Sequence, residues 1–148
     1  MNPVAPDPSA ELHREYGPDL RTLHVARQDV VAWLADLGAD DGTQERAALI
    51  VSELCSNAIQ NSPGLPYSLR ITRIDADHVG IAVRNRPADH LPPARELWRP
   101  AGDVTLKDLS LRGRGLAIVD SLSEEVTIEH LGDELVVTAR VRIEVEQR

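Results

Sequence analysis

The chain has 148 residues, 42% hydrophobic and 27% charged. This is a globular composition, and the length suits one domain that buries roughly two thirds of its unfolded surface. A formal charge of −8 and a pI near 5.0 repel a phosphate backbone, which excludes direct nucleic-acid binding as the first reading. The single cysteine, Cys55, cannot form an internal disulfide. The sequence opens on neither a basic n-region nor an apolar h-region, and no apolar run approaches about 18 residues, so the expectation is a cytoplasmic protein without a membrane segment. With no Phe, two Trp and two Tyr, the core must be aliphatic.

In chain order, "MNPVAPDPSA" carries Pro3, Pro6 and Pro8 without periodicity and reads as a mobile tail over residues 1–10, leaving 11–148 as the domain. "ELHREYG" suits a short strand. Leu23, Ala26, Val30, Trp33, Leu34 and Leu37 recur at helical spacing, with Asp19 or Thr22 as N-caps and Gly38 as the stop. A second helix, capped within Asp41 to Thr43, runs through "QERAALIVSELCSNAIQNS" to the break at Pro63 and Gly64. At about 100° per residue, Ala47, Val51, Leu54, Cys55, Ala58 and Ile59 share one face, and Glu53 and Asn57 point nearly the opposite way.

"YSLRITRI" and "HVGIAVRN" alternate apolar with polar around "DAD" and read as a hairpin; "EVTIEHL" and "ELVVTARVRIEV" form a second through Gly132 and Asp133. Residues 86–112 lie between the hairpins, with four prolines and little periodicity. A stretch of this length is usually a functional lid or a disordered insert. "GRGLAIVDSL" then suggests a short helix starting at the glycines. Helices on one layer and strands on the other predict an α+β fold, a two-layer α/β sandwich with a mixed, mostly antiparallel sheet.

Glu53, Asn57 and Asn61 fall four residues apart and stack along one side of the second helix. The plain reading is a solvated face. Yet Asn is a mediocre helix former, and a carboxylate and an amide oxygen one turn apart suit Mg²⁺, a hard cation that takes oxygen ligands and keeps several waters. Gly113 and Gly115 of "GRG" stand where a loop enters a helix, which lets the backbone approach an anion such as phosphate. A tight turn would use the same glycines. The five histidines are scattered, and GxSxG, P-loop and GxGxxG motifs are absent.

Taken together, "LIVSELCSNAI" resembles the N-box of the GHKL ATPase superfamily, and "GRGLAIVDSL" its second glycine box. The likeness runs from about Leu20 to Val145 and is greatest to the small single-domain branch of bacterial anti-sigma factor serine kinases. The resemblance implies a Bergerat-type ATP-binding fold. It puts Glu53 in the position of the general base and Asn57 in that of the Mg²⁺ ligand of Mg-ATP. Gly113, Arg114, Gly115 and Leu116 match the phosphate-side box, with Asn61 one turn beyond the N-box Asn, and residues 86–112 match the ATP lid. It further implies sequestration of a sigma factor, control by a STAS-type antagonist protein, and a homodimer in many relatives. Two positions depart from the family's pattern. Asn85 stands where an Asp usually accepts from the adenine amino group, so its own NH₂ needs a separate partner, and Pro87 stands where backbone freedom is usual. These departures keep open a second reading, a non-catalytic interaction module that kept the fold and weakened or lost nucleotide binding.

Overall fold

A computed structural model of the chain describes residues 11–87 and 115–145. The tail over 1–10, most of the segment read as a lid, Trp98, Gly113 and Arg114 lie outside the described residues. The elements are β1 (Glu11–Tyr16), α1 (Thr22–Asp36), α2 (Asp41–Asn61), β2 (Tyr67–Asp75), β3 (His78–Asn85), α3 (Gly115–Leu122), β4 (Glu125–Leu131) and β5 (Glu134–Arg142). The strands form a five-stranded sheet in the order β1-β2-β3-β5-β4, and among the described residues every pairing is antiparallel. The helices cover one face of it, which is the two-layer arrangement read from the sequence.

The alternation in the strands explains which face is covered. Leu69 pairs with Val83, Val83 with Val137 and Val137 with Ile128, making an apolar row across four strands; Ile71, Ile81, Ala139 and Val126 make the next. Nearly all of these are buried, with Val126 partly so. Ile50, Val51 and Leu54 of α2 are buried over the sheet, each worth about 1.5–3 kcal/mol when fully removed from water. Ile50 joins the stripe read from the sequence, while Ile59 packs only partly against it. The opposite sheet face carries ion pairs such as Arg70 with Glu11 at 3.0 Å and Arg84 with Glu134 at 3.4 Å.

The helix ends are set by local chemistry. Gly38 at φ 87° ends α1, its N–H bonding the Ala35 carbonyl at 3.0 Å while the Ala39 N–H reaches the Leu34 carbonyl at 3.1 Å; this is the left-handed glycine stop expected there. At its start the expected caps are replaced. Arg21 is the N-cap and makes no side-chain cap bond, since a guanidinium only donates; the Asp19 carboxylate accepts from the Arg21 N–H and guanidinium, and the Thr22 hydroxyl donates to the Asp19 carbonyl. For α2 the cap is Asp40, one residue before the expected stretch: its backbone is extended (φ −76°, ψ 173°) and its Oδ1 accepts from the Thr43 N–H at 2.8 Å.

The chain beyond β5 returns to this cap. The Asp40 N–H donates to the Glu144 carbonyl at 2.7 Å, the Glu144 N–H donates to the buried Thr43 hydroxyl at 2.9 Å, and Ala39 bridges Val145. α2 is therefore pinned at its first turn to the strand layer. At the far side, His78 contacts Asp75 at 2.9 Å and Glu124 at 2.7 Å, joining the β2–β3 turn to the junction of α3 and β4.

Candidate functional site

The core stripe of α2 determines where its polar row sits. With Leu54, Cys55 and Ala58 buried, Glu53, Asn57 and Asn61 are each partly exposed, flanking the stripe instead of opposing it. Counting angles about 100° apart, Asn61 lies nearest the stripe and Glu53 farthest, so the row winds slowly toward the core as it approaches the helix C-terminus. Among the described residues none of the three side chains makes a hydrogen bond. α3, which begins at Gly115 and buries Leu116 and Val119, packs against the same helix. α3 thus packs on the helix that carries the polar row, with Leu116 in the core; the positions of Gly113 and Arg114 are outside the described residues.

Asn85 closes the other end. It occupies the last helix-facing place on β3, opposite Leu135, where the alternation of Val79, Ile81 and Val83 would otherwise continue with an apolar residue. It is 5% exposed, and its Nδ2 donates to the Ser62 Oγ at 2.7 Å; Ser62, the C-cap of α2, is 1% exposed. The NH₂ left without an assigned partner in the sequence reading therefore has one, which removes most of the penalty that an unsatisfied buried donor would carry. Ser62 is the functional candidate that sequence reasoning missed. Its only local signal, a Ser before Pro63 and Gly64, reads as a helix stop.

Asn85 also borders a recess of about 150 Å³ lined by Glu15, Ser68, Arg84, Arg86 and Glu134. That volume is below the usual range for a small-molecule site. Cys55 faces the core, where burial pushes its thiol up to about 12, so it serves as a packing residue and not as a nucleophile. Among the described residues no three His, Cys, Asp or Glu side chains converge on a metal position. A cation here would draw on Asn57 with or without Glu53 and take its other ligands from phosphate and water, a donor set that fits Mg²⁺.

The solved structures similar to this chain share its architecture. The RsbU and RsbW domains of Rv1364c from Mycobacterium tuberculosis align with a TM-score of 0.69 at 20% identity, over 97% of this chain and 35% of that one. The chain thus spans about a third of that protein. The catalytic domain of the histidine kinase ThkA, in a nucleotide-free form, aligns with a TM-score of 0.51 at 17% identity, covering 91% and 99% of the two chains. At these identities the likeness is one of fold. No curated protein matches the sequence. The family model of the histidine kinase-like ATPase domain matches residues 17–141, which span both helices of the N-terminal half, β2 to β4, β5 up to its last residue and the glycine start of α3; the chain belongs to that family.

Proposed function

We propose that the protein is an ATP-binding regulator of the anti-sigma factor, serine-protein kinase type, which holds a sigma factor inactive and is controlled by a STAS-type antagonist. The observation that carries this reading is the partly exposed row Glu53, Asn57 and Asn61, which runs along α2 toward the C-cap Ser62 and its buried bond to Asn85. Family membership and the fold shared with a protein that contains an RsbW domain support it.

In this mechanism Asn57 would hold Mg²⁺ through its amide oxygen, and the backbone at Gly115 would bind the phosphates. Glu53 accepts the proton of a Ser or Thr hydroxyl on the antagonist. The bound cation would supply neutralisation of charge on the phosphates. Asn85 meets the base. Calorimetric titration with ATP, with and without Mg²⁺, followed by phosphotransfer assays on a STAS-type protein, tests the reading; absence of any nucleotide binding removes it.

A second reading is favoured by one specific observation. The Asn85 Nδ2 donates to Ser62, and Pro87 follows two residues later, a pairing that also suits an interaction module in which the pair simply closes the end of the core. The same titration separates the two.

A further inference from the structure

We propose that Ser62 is a positioning residue that lets Asn85 recognise either a 6-amino or a 6-oxo purine, so that the site takes inosine and guanosine triphosphates as well as ATP. This rests on the nucleotide-binding reading above. The backbone of Ser62 is held on both sides: its N–H donates to the Ala58 carbonyl at 3.0 Å and its carbonyl accepts from Leu65 at 3.0 Å. The side chain itself is buried, and its hydroxyl oxygen lies 2.7 Å from the Asn85 Nδ2; the hydroxyl proton can turn about the C–O bond.

A hydroxyl both donates and accepts, and an amide has an accepting end and a donating end. With Nδ2 toward Ser62, as found here, Asn85 directs Oδ1 elsewhere and can accept from a 6-amino group. Turned over, Oδ1 accepts from the Ser62 hydroxyl and Nδ2 is directed to a 6-oxo oxygen. Both arrangements keep the Ser62 bond. A carboxylate at the same position offers only acceptors and sets its lone pairs against a 6-oxo oxygen. The neighbours Val83 and Leu135 are buried and apolar, so an unmatched polar contact here finds little compensation from water. Discrimination at the 6-position then depends on residue 85 being unable to turn over, and Ser62 removes that restriction.

The test uses the full chain with Mg²⁺ and measures affinity for ATP and for inosine triphosphate, which lacks the 2-amino group of guanosine. The expected result is affinities within about tenfold of each other. Asn85→Asp should keep or strengthen ATP binding and weaken inosine triphosphate binding by more than tenfold relative to ATP. Ser62→Ala should weaken both nucleotides about fivefold or more, with Ser62→Thr restoring them, and circular dichroism checks that each variant is folded. A preference of the wild type for ATP beyond tenfold, or an Asn85→Asp ratio unchanged from wild type, overturns the inference and leaves the ATP-binding reading intact. Ser62→Ala binding at wild-type strength overturns the role of Ser62. Binding of neither nucleotide overturns the reading and the inference together.

Discussion

Replacing Thr43 by Val tests whether the start of α2 is held to the strand layer by the Thr43 hydroxyl. Val keeps the buried volume and β-branched shape, so no large cavity term enters. What is lost is the acceptor for the Glu144 N–H at 2.9 Å, the hydroxyl's own long bond to the Glu144 carbonyl at 3.4 Å and a contact to Arg46 Nη2 at 3.3 Å. A neutral hydrogen bond contributes about 0.5–1.5 kcal/mol net, and an orphaned donor costs about 1–3 kcal/mol when it is buried. Glu144 is exposed and Arg46 keeps the Arg142 carbonyl at 3.1 Å, so water and the remaining bond offset part of the loss. The expected destabilisation is about 1–2 kcal/mol, or roughly 5 °C in Tm for a chain of this size. Urea unfolding gives the first number, and hydrogen exchange at the Glu144 amide tests its origin, since that amide should lose protection in Thr43→Val and keep it in Thr43→Ser. A Thr43→Val protein within about 0.5 kcal/mol of wild type, with the Glu144 amide still protected, would show that the hydroxyl does not hold this segment.

Four further outcomes are expected. Glu53→Gln should keep nucleotide affinity and lose phosphotransfer to an antagonist protein, and equal transfer by both proteins would remove Glu53 from the mechanism. Asn57→Ala should weaken ATP binding chiefly when Mg²⁺ is present; a loss that is the same with chelator would argue against a metal-ligand role. The bond from the Thr43 N–H holds the Asp40 carboxyl below the usual carboxylate range. Because the folded value is the lower one, the stabilisation is complete at neutral pH and lost as pH falls through the folded value; Asp40→Asn, a comparable cap without a charge, should lack this acid-side loss in thermal melts. Finally, Cys55 should resist alkylation at pH 8 in the native protein and react quickly in denaturant, and rapid native labelling would mean that α2 opens from the sheet.

Some of this was legible in the sequence because the determinants are local. The bounds of α1 follow from the spacing of Leu23, Ala26, Val30, Trp33 and Leu34 and from the glycine after it; both hairpins follow from alternation and a short turn. Where two adjacent residues could do the same job, sequence did not decide. Asp40 and Asp41 are both competent caps, and the choice falls on Asp40 because the Glu144 carbonyl takes its N–H and draws it into extended backbone. The inclination of the polar row toward the core was also hidden, since Ile50 had to be known as buried to centre the stripe. Least visible was the Asn85–Ser62 bond, which joins residues 23 apart whose meeting depends on α2 lying over the end of β3.

The strand order has a consequence for how the two halves of the chain depend on each other. β3 and β5 meet along eight residue pairs, from His78 with Arg142 to Asn85 with Leu135, and these partners are about fifty or more residues apart. Each hairpin can form from neighbouring sequence, whereas this seam forms only after a long loop is closed, at an entropic cost that grows slowly with length. The covalent link between 88 and 114 therefore serves as a local concentration of one half for the other. A chain cut anywhere in that interval would still carry complementary surfaces, Val79, Ile81 and Val83 on one fragment and Val137, Ala139 and Val141 on the other. Its two pieces would reassemble in a concentration-dependent way, while the first piece alone would present β3 as a bare apolar edge open to pairing with any passing strand.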